Sequence, residues 1–153
     1  LHYSGQITSA QALTAAFDGS AWTSKANMIT ARRASSGCGT SIAALCITGS
    51  TGAATLSSVE YFNGSTWATD VAANRICYAT SASGIYGAAL LIGGAIAGGS
   101  YLDIVDESDG TTWSPVDSIS SARQSLGAQG STSASVAFGG LNTVKIAITE
   151  TYN

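Results

Sequence analysis

Three apolar triplets recur along the chain, Leu45-Cys46-Ile47, Leu90-Leu91-Ile92 and Val136-Ala137-Phe138, each followed two residues later by Gly49, Gly94 or Gly140. Short apolar runs closed by glycine read as strands buried on both faces. Upstream of the first triplet there is room for a hairpin, with a strand near 35–39, a turn at 39–41 and a second strand over 42–48. The next copy predicts strands over 78–83 and 88–92 with a turn at 84–86. Apolar and polar positions then alternate through Ser57-Ser58-Val59-Glu60-Tyr61-Phe62, a third strand, before Asn63-Gly64. Asn-Gly and Asp-Gly accept the positive φ angles of a two-residue hairpin turn, so a fourth strand carrying Trp67 follows. Four short antiparallel strands in about 45 residues match a propeller blade.

The same phrase closes three units: Asp18-Gly19-Ser20-Ala21-Trp22, Asn63-Gly64-Ser65-Thr66-Trp67 and Asp109-Gly110-Thr111-Thr112-Trp113. The tenth residue beyond each Trp is Arg32, Cys77 or Arg123, and the seventeenth is Gly39, Gly84 or Gly130. The seventh residue before each Trp is Ala15, Glu60 or Asp106, and Glu150 takes this place in the last copy. A register held this long marks a repeat protein. The fold expected is all-β, a β-propeller segment spanning 1–153 with about three repeats, in units of roughly 1–31 (partial), 32–76, 77–122 and 123–153 (partial). Residues 9–17 are alanine-rich enough to suggest a helix, but their place in the repeat assigns them to a third strand and its approach.

The ends follow the pattern. Leu1-His2-Tyr3-Ser4-Gly5 parallels residues 45–49, and Glu150-Thr151-Tyr152-Asn153 parallels residues 60–63, stopping where Gly-x-x-Trp is due. The expectation is a segment of a longer protein; the alternative is that the unfinished units complete each other between subunits. The triplets should be inner strands between blades, and each Trp should add apolar surface where one blade packs on the next. Gly93-Gly94 and Gly139-Gly140 should mark close backbone approach or a bend at a strand end.

Composition narrows the function. Only 10% of residues are charged, six Lys plus Arg oppose nine Asp plus Glu, and no basic run exists, which argues against nucleic acid as a partner. The longest apolar stretch, near 87–99, is broken by Gly93 and Gly94, so membrane insertion is not expected. Cys38, Cys46 and Cys77 lack Cys-x-x-Cys spacing and read as small buried thiols. His2 is the sole histidine, and no metal, cofactor or catalytic constellation emerges. The carboxylates Glu60, Asp106 and Glu150 and the arginines Arg32 and Arg123 could ring a glycan, but repetition at equivalent places favours structural pairing. A local acidic cluster of Asp103, Asp106, Glu107 and Asp109 reads as a solvated strand edge rather than a cation site. Loops at 50–56, 95–102 and 141–145 differ between units, and loops on a rigid scaffold carry specificity, making Tyr101, Leu102 and Asn142 candidate contact residues.

The Gly-Gly after an apolar strand, the aromatic before an Asp or Asn turn, the Trp and the Arg ten residues beyond it resemble kelch repeats over essentially the whole chain. The phrases Glu60-Tyr61-Phe62-Asn63-Gly64-Ser65-Thr66-Trp67, Ser121-Ala122-Arg123 and Val136-Ala137-Phe138-Gly139-Gly140 are similar to Gly/Ser/Thr/Ala-rich kelch-like repeats in structural proteins of tailed bacteriophages, particularly those of marine cyanobacteria. That resemblance implies a kelch-like β-propeller and a non-enzymatic fibre, appendage or capsid-surface component at the virion surface. Its partners would be other virion subunits, copies of itself or a host-surface glycan or protein. Ala15, Thr48, Cys77 and Ser108 depart from the pattern and imply lost packing or hydrogen-bonding groups. Ser108-Asp109-Gly110-Thr111-Thr112-Trp113 resembles the Asp-box of sialidase-type propellers, but Asp and Gly are adjacent here where that motif separates them. The alternatives are a segment of a carbohydrate-active propeller enzyme, sialidase-like or galactose-oxidase-like, and a cellular kelch protein-interaction domain, secreted or at the cell surface.

Overall fold

A computed structural model describes residues 9–153 and the backbone of His2–Tyr3. The described chain forms four antiparallel sheets and no helix. The first contains β1 (His2–Tyr3), β2 (Thr14–Phe17) and β3 (Trp22–Lys25); the second β4 (Ser36–Thr40), β5 (Ala43–Ser50), β6 (Thr55–Phe62) and β7 (Trp67–Asp70). The third contains β8 (Ser81–Ile85), β9 (Ala88–Ile92), β10 (Val105–Ser108) and β11 (Trp113–Val116), and the fourth β12 (Gly127–Ser131), β13 (Ala134–Phe138) and β14 (Thr149–Tyr152). Within each sheet the strands lie in chain order, so every connection is a hairpin or a short loop. The arrangement is propeller-like, with successive sheets stacked as blades, and the sheets do not close. Each end sheet holds three strands and each inner sheet four.

The hydrophobic cores lie between the sheets. In β5, Ala44 and Cys46 pack toward the first sheet with Met28, Phe62 and Trp67, while Leu45 and Ile47 pack toward the third with Ala89, Leu91 and Trp113. Leu90 and Ile92 of β9 join Val105, Leu126 and Ala137 at the junction with the fourth sheet. The period-two alternation of a strand thus turns one apolar triplet into two packing surfaces. The triplet of β13 departs from this: Ala137 is buried but Phe138 is 46% exposed, because the face it shares with Val136 has no following sheet among the described residues.

Three local expectations shift. At each Asp/Asn-Gly tip only the glycine takes a positive φ (Gly19 +103°, Gly64 +93°, Gly110 +86°). The preceding Asp18, Asn63 or Asp109 instead offers its side-chain oxygen to two backbone N–H groups, Ser20 and Ala21, Ser65 and Thr66, or Thr111 and Thr112. These are Asx turns rather than turns with two left-handed residues. The strand expected from Tyr78 starts at Ser81, because Ala79 has a φ of +52° that an extended strand does not allow. Gly39, Gly84 and Gly130 lie within the inner hairpin strands, one step before the turn, where a Cβ would strike the carbonyl of Ala43, Ala88 or Ala134.

Candidate functional site

The repeated residues converge on the junctions between sheets. At the first junction Arg32 is fully buried and its guanidinium meets Glu60 Oε1 at 2.6 Å. It also donates to the carbonyls of Thr48 and Ser58, each at 2.9 Å, and to Ser58 Oγ at 3.1 Å. Glu60 accepts the N–H groups of Ile29 (2.7 Å) and Thr30 (3.0 Å). One carboxylate on a third strand therefore clips the preceding connector by main chain and side chain together, the hydrogen-bonded pairing that a buried ion pair requires.

The second junction carries an ion pair of a different make. Cys77 occupies the Arg position, yet Arg75 reaches across and its Nε lies 2.9 Å from Asp106 Oδ2. The charge moves two residues back and the acid is one carbon shorter, but Arg75 Nε and Nη1 and Asp106 Oδ2 are left without a hydrogen-bond partner. Asp106 is buried, not a solvated edge residue, and burial raises its carboxyl above the ordinary value against the opposing pull of Arg75 and Asn74. No cluster of three or more His, Cys, Asp or Glu able to hold a metal ion occurs among the described residues. Asp109 belongs to its turn, where the Thr111 hydroxyl and then the Thr111 and Thr112 N–H groups hold its pKa at about 2. Asp18, in the first tip, is likewise held at about 2 by the N–H groups of Ala21 and Ser20.

At the third junction Arg123 is buried with Glu150 Oε1 at 2.8 Å, and Ser120 N–H donates to Glu150 Oε2 at 2.7 Å. Burial opposes ionisation of Glu150, but the bonds from Ser120 and the Arg123 guanidinium outweigh it and hold its carboxyl below the usual value. Unlike Arg32, Arg123 leaves Nε and Nη1 without a hydrogen-bond acceptor.

Backbone contacts repeat across the junctions too. Gly49 N–H donates to Cys77 O (3.1 Å) and Gly94 N–H to Arg123 O (2.8 Å), while Ala79 N–H donates to Ala34 O and Ser125 N–H to Ala79 O, both at 2.7 Å. Ala34, Ala79 and Ser125 hold φ of +50°, +52° and +53°. That left-handed chain had no glycine to announce it; the repeat spacing of 34, 79 and 125 was its only sequence signal. A Cβ on Gly94 would approach Thr80 Cγ2 to 2.5 Å and Tyr78 O to 2.9 Å, the close approach expected of this glycine. Hydroxyls on the inner strands join neighbours as well, Ser36 Oγ to Thr80 Oγ1 and Ser83 Oγ to Ser135 Oγ, both at 2.8 Å.

The tryptophans divide. Trp67 is 7% exposed and its indole N–H donates to Thr14 Oγ1 at 3.0 Å; Trp113 is 6% exposed and donates to Val71 O at 3.3 Å. Each fills the gap between its own sheet and the one before. Trp22 is 58% exposed on the outer face of the first sheet, its ring centroid 5.4 Å from that of Phe17, itself 45% exposed. Phe138 lies on the opposite outer face, that of the fourth sheet.

The loop candidates are dispersed. Tyr101 pairs with Ala95 in an isolated bridge, and Asn142 Oδ1 accepts the Val144 N–H at 3.1 Å. Leu102 is a packing residue, its side chain against the core and its backbone held between Gly94 O and Arg123 N–H. Only residues 96–100 of that loop are well exposed. The side chain of His2 lies outside the described residues. All three cysteines are free, and burial raises Cys38 to about 12 and Cys46 to about 11, so neither is a thiolate nucleophile at neutral pH. Compared with protein-family models and with curated proteins, the sequence matches none.

Proposed function

We propose that the chain is a non-enzymatic structural or adhesion module of a phage particle, a fibre, appendage or capsid-surface component of the kelch-like propeller type. Its role on this reading is subunit assembly, with host-surface or glycan attachment through the exposed loops. The observation that carries the reading is the pair of outer faces, Phe17 with Trp22 on one side and Val136 with Phe138 on the other, which repeat the composition of the buried junctions. Inside the chain a face bearing Leu45 and Ile47 docks on one bearing Leu91 and Trp113. On this reading the outer faces are the two halves of such a contact, and a further blade, from a second copy or from more of the same protein, fits head to tail. A heterologous contact of this kind closes a ring or extends a filament according to its rotation. The likeness of the Gly/Ser/Thr/Ala-rich phrases to phage structural repeats supports the setting in a virion.

Light scattering over a range of concentrations tests assembly: the reading expects a mass that grows beyond one chain, and a single-chain mass at high concentration contradicts it. Antibody-gold labelling of purified particles tests the setting, with label on the particle surface expected. Replacing residues 96–100 by a Gly-Ser linker should abolish glycan or cell binding; unchanged binding removes that loop from the contact.

A further inference from the structure

Arg33 stands apart from the other arginines. Arg32, Arg75 and Arg123 each meet a carboxylate, whereas the Arg33 guanidinium has no acidic partner among the described residues. It is half-buried and lies over the β5–β6 loop, where a Cβ added to Gly52 would come within 3.9 Å of Nη2. The same position holds Tyr78 and Gln124 in the next two units. On one side of it the chain is buried in every unit (Arg32, Cys77, Arg123), and on the other it is left-handed (Ala34, Ala79, Ser125). The side chain at this position is the variable element of a fixed frame.

Arg33, Ala34, Ser50, Thr55 and Tyr78 line a cavity of about 290 Å³ at the end of the second sheet away from the Asx turns. The second and third sheets, between which it lies, each have all four strands. Main-chain bonds fix its walls. Arg33 and Ser50 exchange two of 2.9 Å, Tyr78 and Ala95 exchange two of the same length, and Ala79 N–H reaches Ala34 O at 2.7 Å.

None of the lining residues is acidic, so the cavity suits an anion rather than a cation. The Ser50 hydroxyl is engaged, donating to Ala54 O and accepting the Gly52 N–H, both at 3.0 Å. The Thr55 and Tyr78 hydroxyls and the Arg33 guanidinium meet no partner among the described residues and are left to bind a ligand. A planar guanidinium takes a carboxylate through two parallel N–H bonds, and a tyrosine offers an apolar ring with a polar tip. Together they match a ligand that joins a carboxylate to hydroxyls and C–H faces, the chemistry of a sugar acid. Small-molecule sites begin at about 300 Å³, so this one has room for a single sugar ring rather than a longer chain.

We infer that Arg33, Thr55 and Tyr78 form a binding site for the carboxylate-bearing sugar of an acidic glycan. Arg33 takes the carboxylate, and the Thr55 and Tyr78 hydroxyls bond to those of the ring. The inference deepens the attachment reading and rests on it for the glycan as the source of the sugar. The site itself is independent of blade number and of assembly.

The test is calorimetric titration of the 153-residue chain, at constant ionic strength, with D-glucuronate, N-acetylneuraminate, D-glucose and sodium sulfate. One of the two sugar acids should bind at one site per chain. Glucose and sulfate should bind about tenfold more weakly or worse, because each lacks one half of the contact. Arg33→Gln should weaken the sugar acid about tenfold or more, with Arg33→Lys in between, since it keeps the charge but not the fork. Lys25→Gln, which removes an exposed charge on the first sheet, should bind as the wild type does. An unchanged thermal midpoint shows that each variant is folded. No binding of either sugar acid at millimolar concentration, binding no tighter than that of glucose or sulfate, or binding untouched in a folded Arg33→Gln overturns the inference. A chain that binds the sugar acid but attaches to no host cell upholds the site and removes the attachment reading.

Discussion

Trp22 and Trp113 close nearly the same phrase, Asp-Gly-Ser-Ala-Trp and Asp-Gly-Thr-Thr-Trp, on nearly the same turn, yet one is 58% exposed and the other 6%. Their local structures agree: in both, the Asp side chain holds the turn and the Trp starts a fourth strand. The difference is the sheet in front. Trp113 has the face of Leu45, Ile47 and Val59 to pack against, and Trp22 has no described sheet on that side. In this fold a sheet supplies half of each junction, and the burial of its Trp belongs to the pair of sheets rather than to the repeat.

The sharpest way to break that comparison is to remove each ring. Trp113→Ala should cost about 3–5 kcal/mol, the range for truncating a buried aromatic, whereas Trp22→Ala should cost the single chain about 1 kcal/mol or less, both read by chemical denaturation. Equal losses would mean that Trp22 stabilises its own sheet and not a junction.

The ion pairs give a second contrast of smaller size. Arg32→Met strands Glu60 in a buried site and should cost about 3–5 kcal/mol. Arg75→Met should cost less, about 1–2 kcal/mol, because burial already raises the Asp106 carboxyl, so protonating it relieves the stranded charge at smaller cost. Denaturation of both variants at neutral pH measures the gap.

Acid separates the third junction. Glu150 is held below its ordinary value of 4.5 in the folded chain, so its contribution is fully present above that pH and fades as pH falls through the lowered value. The stability difference between wild type and Glu150→Gln should therefore be constant from pH 7 to about 5 and shrink below 4.5. Asp106 has the opposite sign: the folded state favours its protonated form, so acidification strengthens its contribution. The smallest effect concerns the left-handed chain. Ala79→Gly relieves a φ of +52° and should stabilise by up to about 1 kcal/mol, offset in part by the entropy of glycine.

Which features were legible in the sequence follows from how local their causes are. The strands, the tips at Asp18, Asn63 and Asp109 and the glycines at 49, 94 and 140 depend on their own few residues and on the pattern, and they could be read from it. The pairing of Arg32 with Glu60 was legible as a repeated coincidence of positions. Arg75 was not, because its reach to Asp106 replaces a repeat residue by one outside the register. Leu102 looked like a variable loop residue, and only the backbone bonds to Gly94 and Arg123 show it to be structural.

The central claim, that the outer faces are halves of a junction, is tested most directly by mixing two variants. Trp22→Glu spoils one face and leaves Phe138 intact; Phe138→Glu does the reverse. In analytical ultracentrifugation each variant alone should sediment as a single 15.3 kDa chain, and the mixture should form a one-to-one pair of twice that mass. The contradicting result is a Phe138→Glu sample that still self-associates through Trp22, or a mixture that stays monomeric while the wild type assembles.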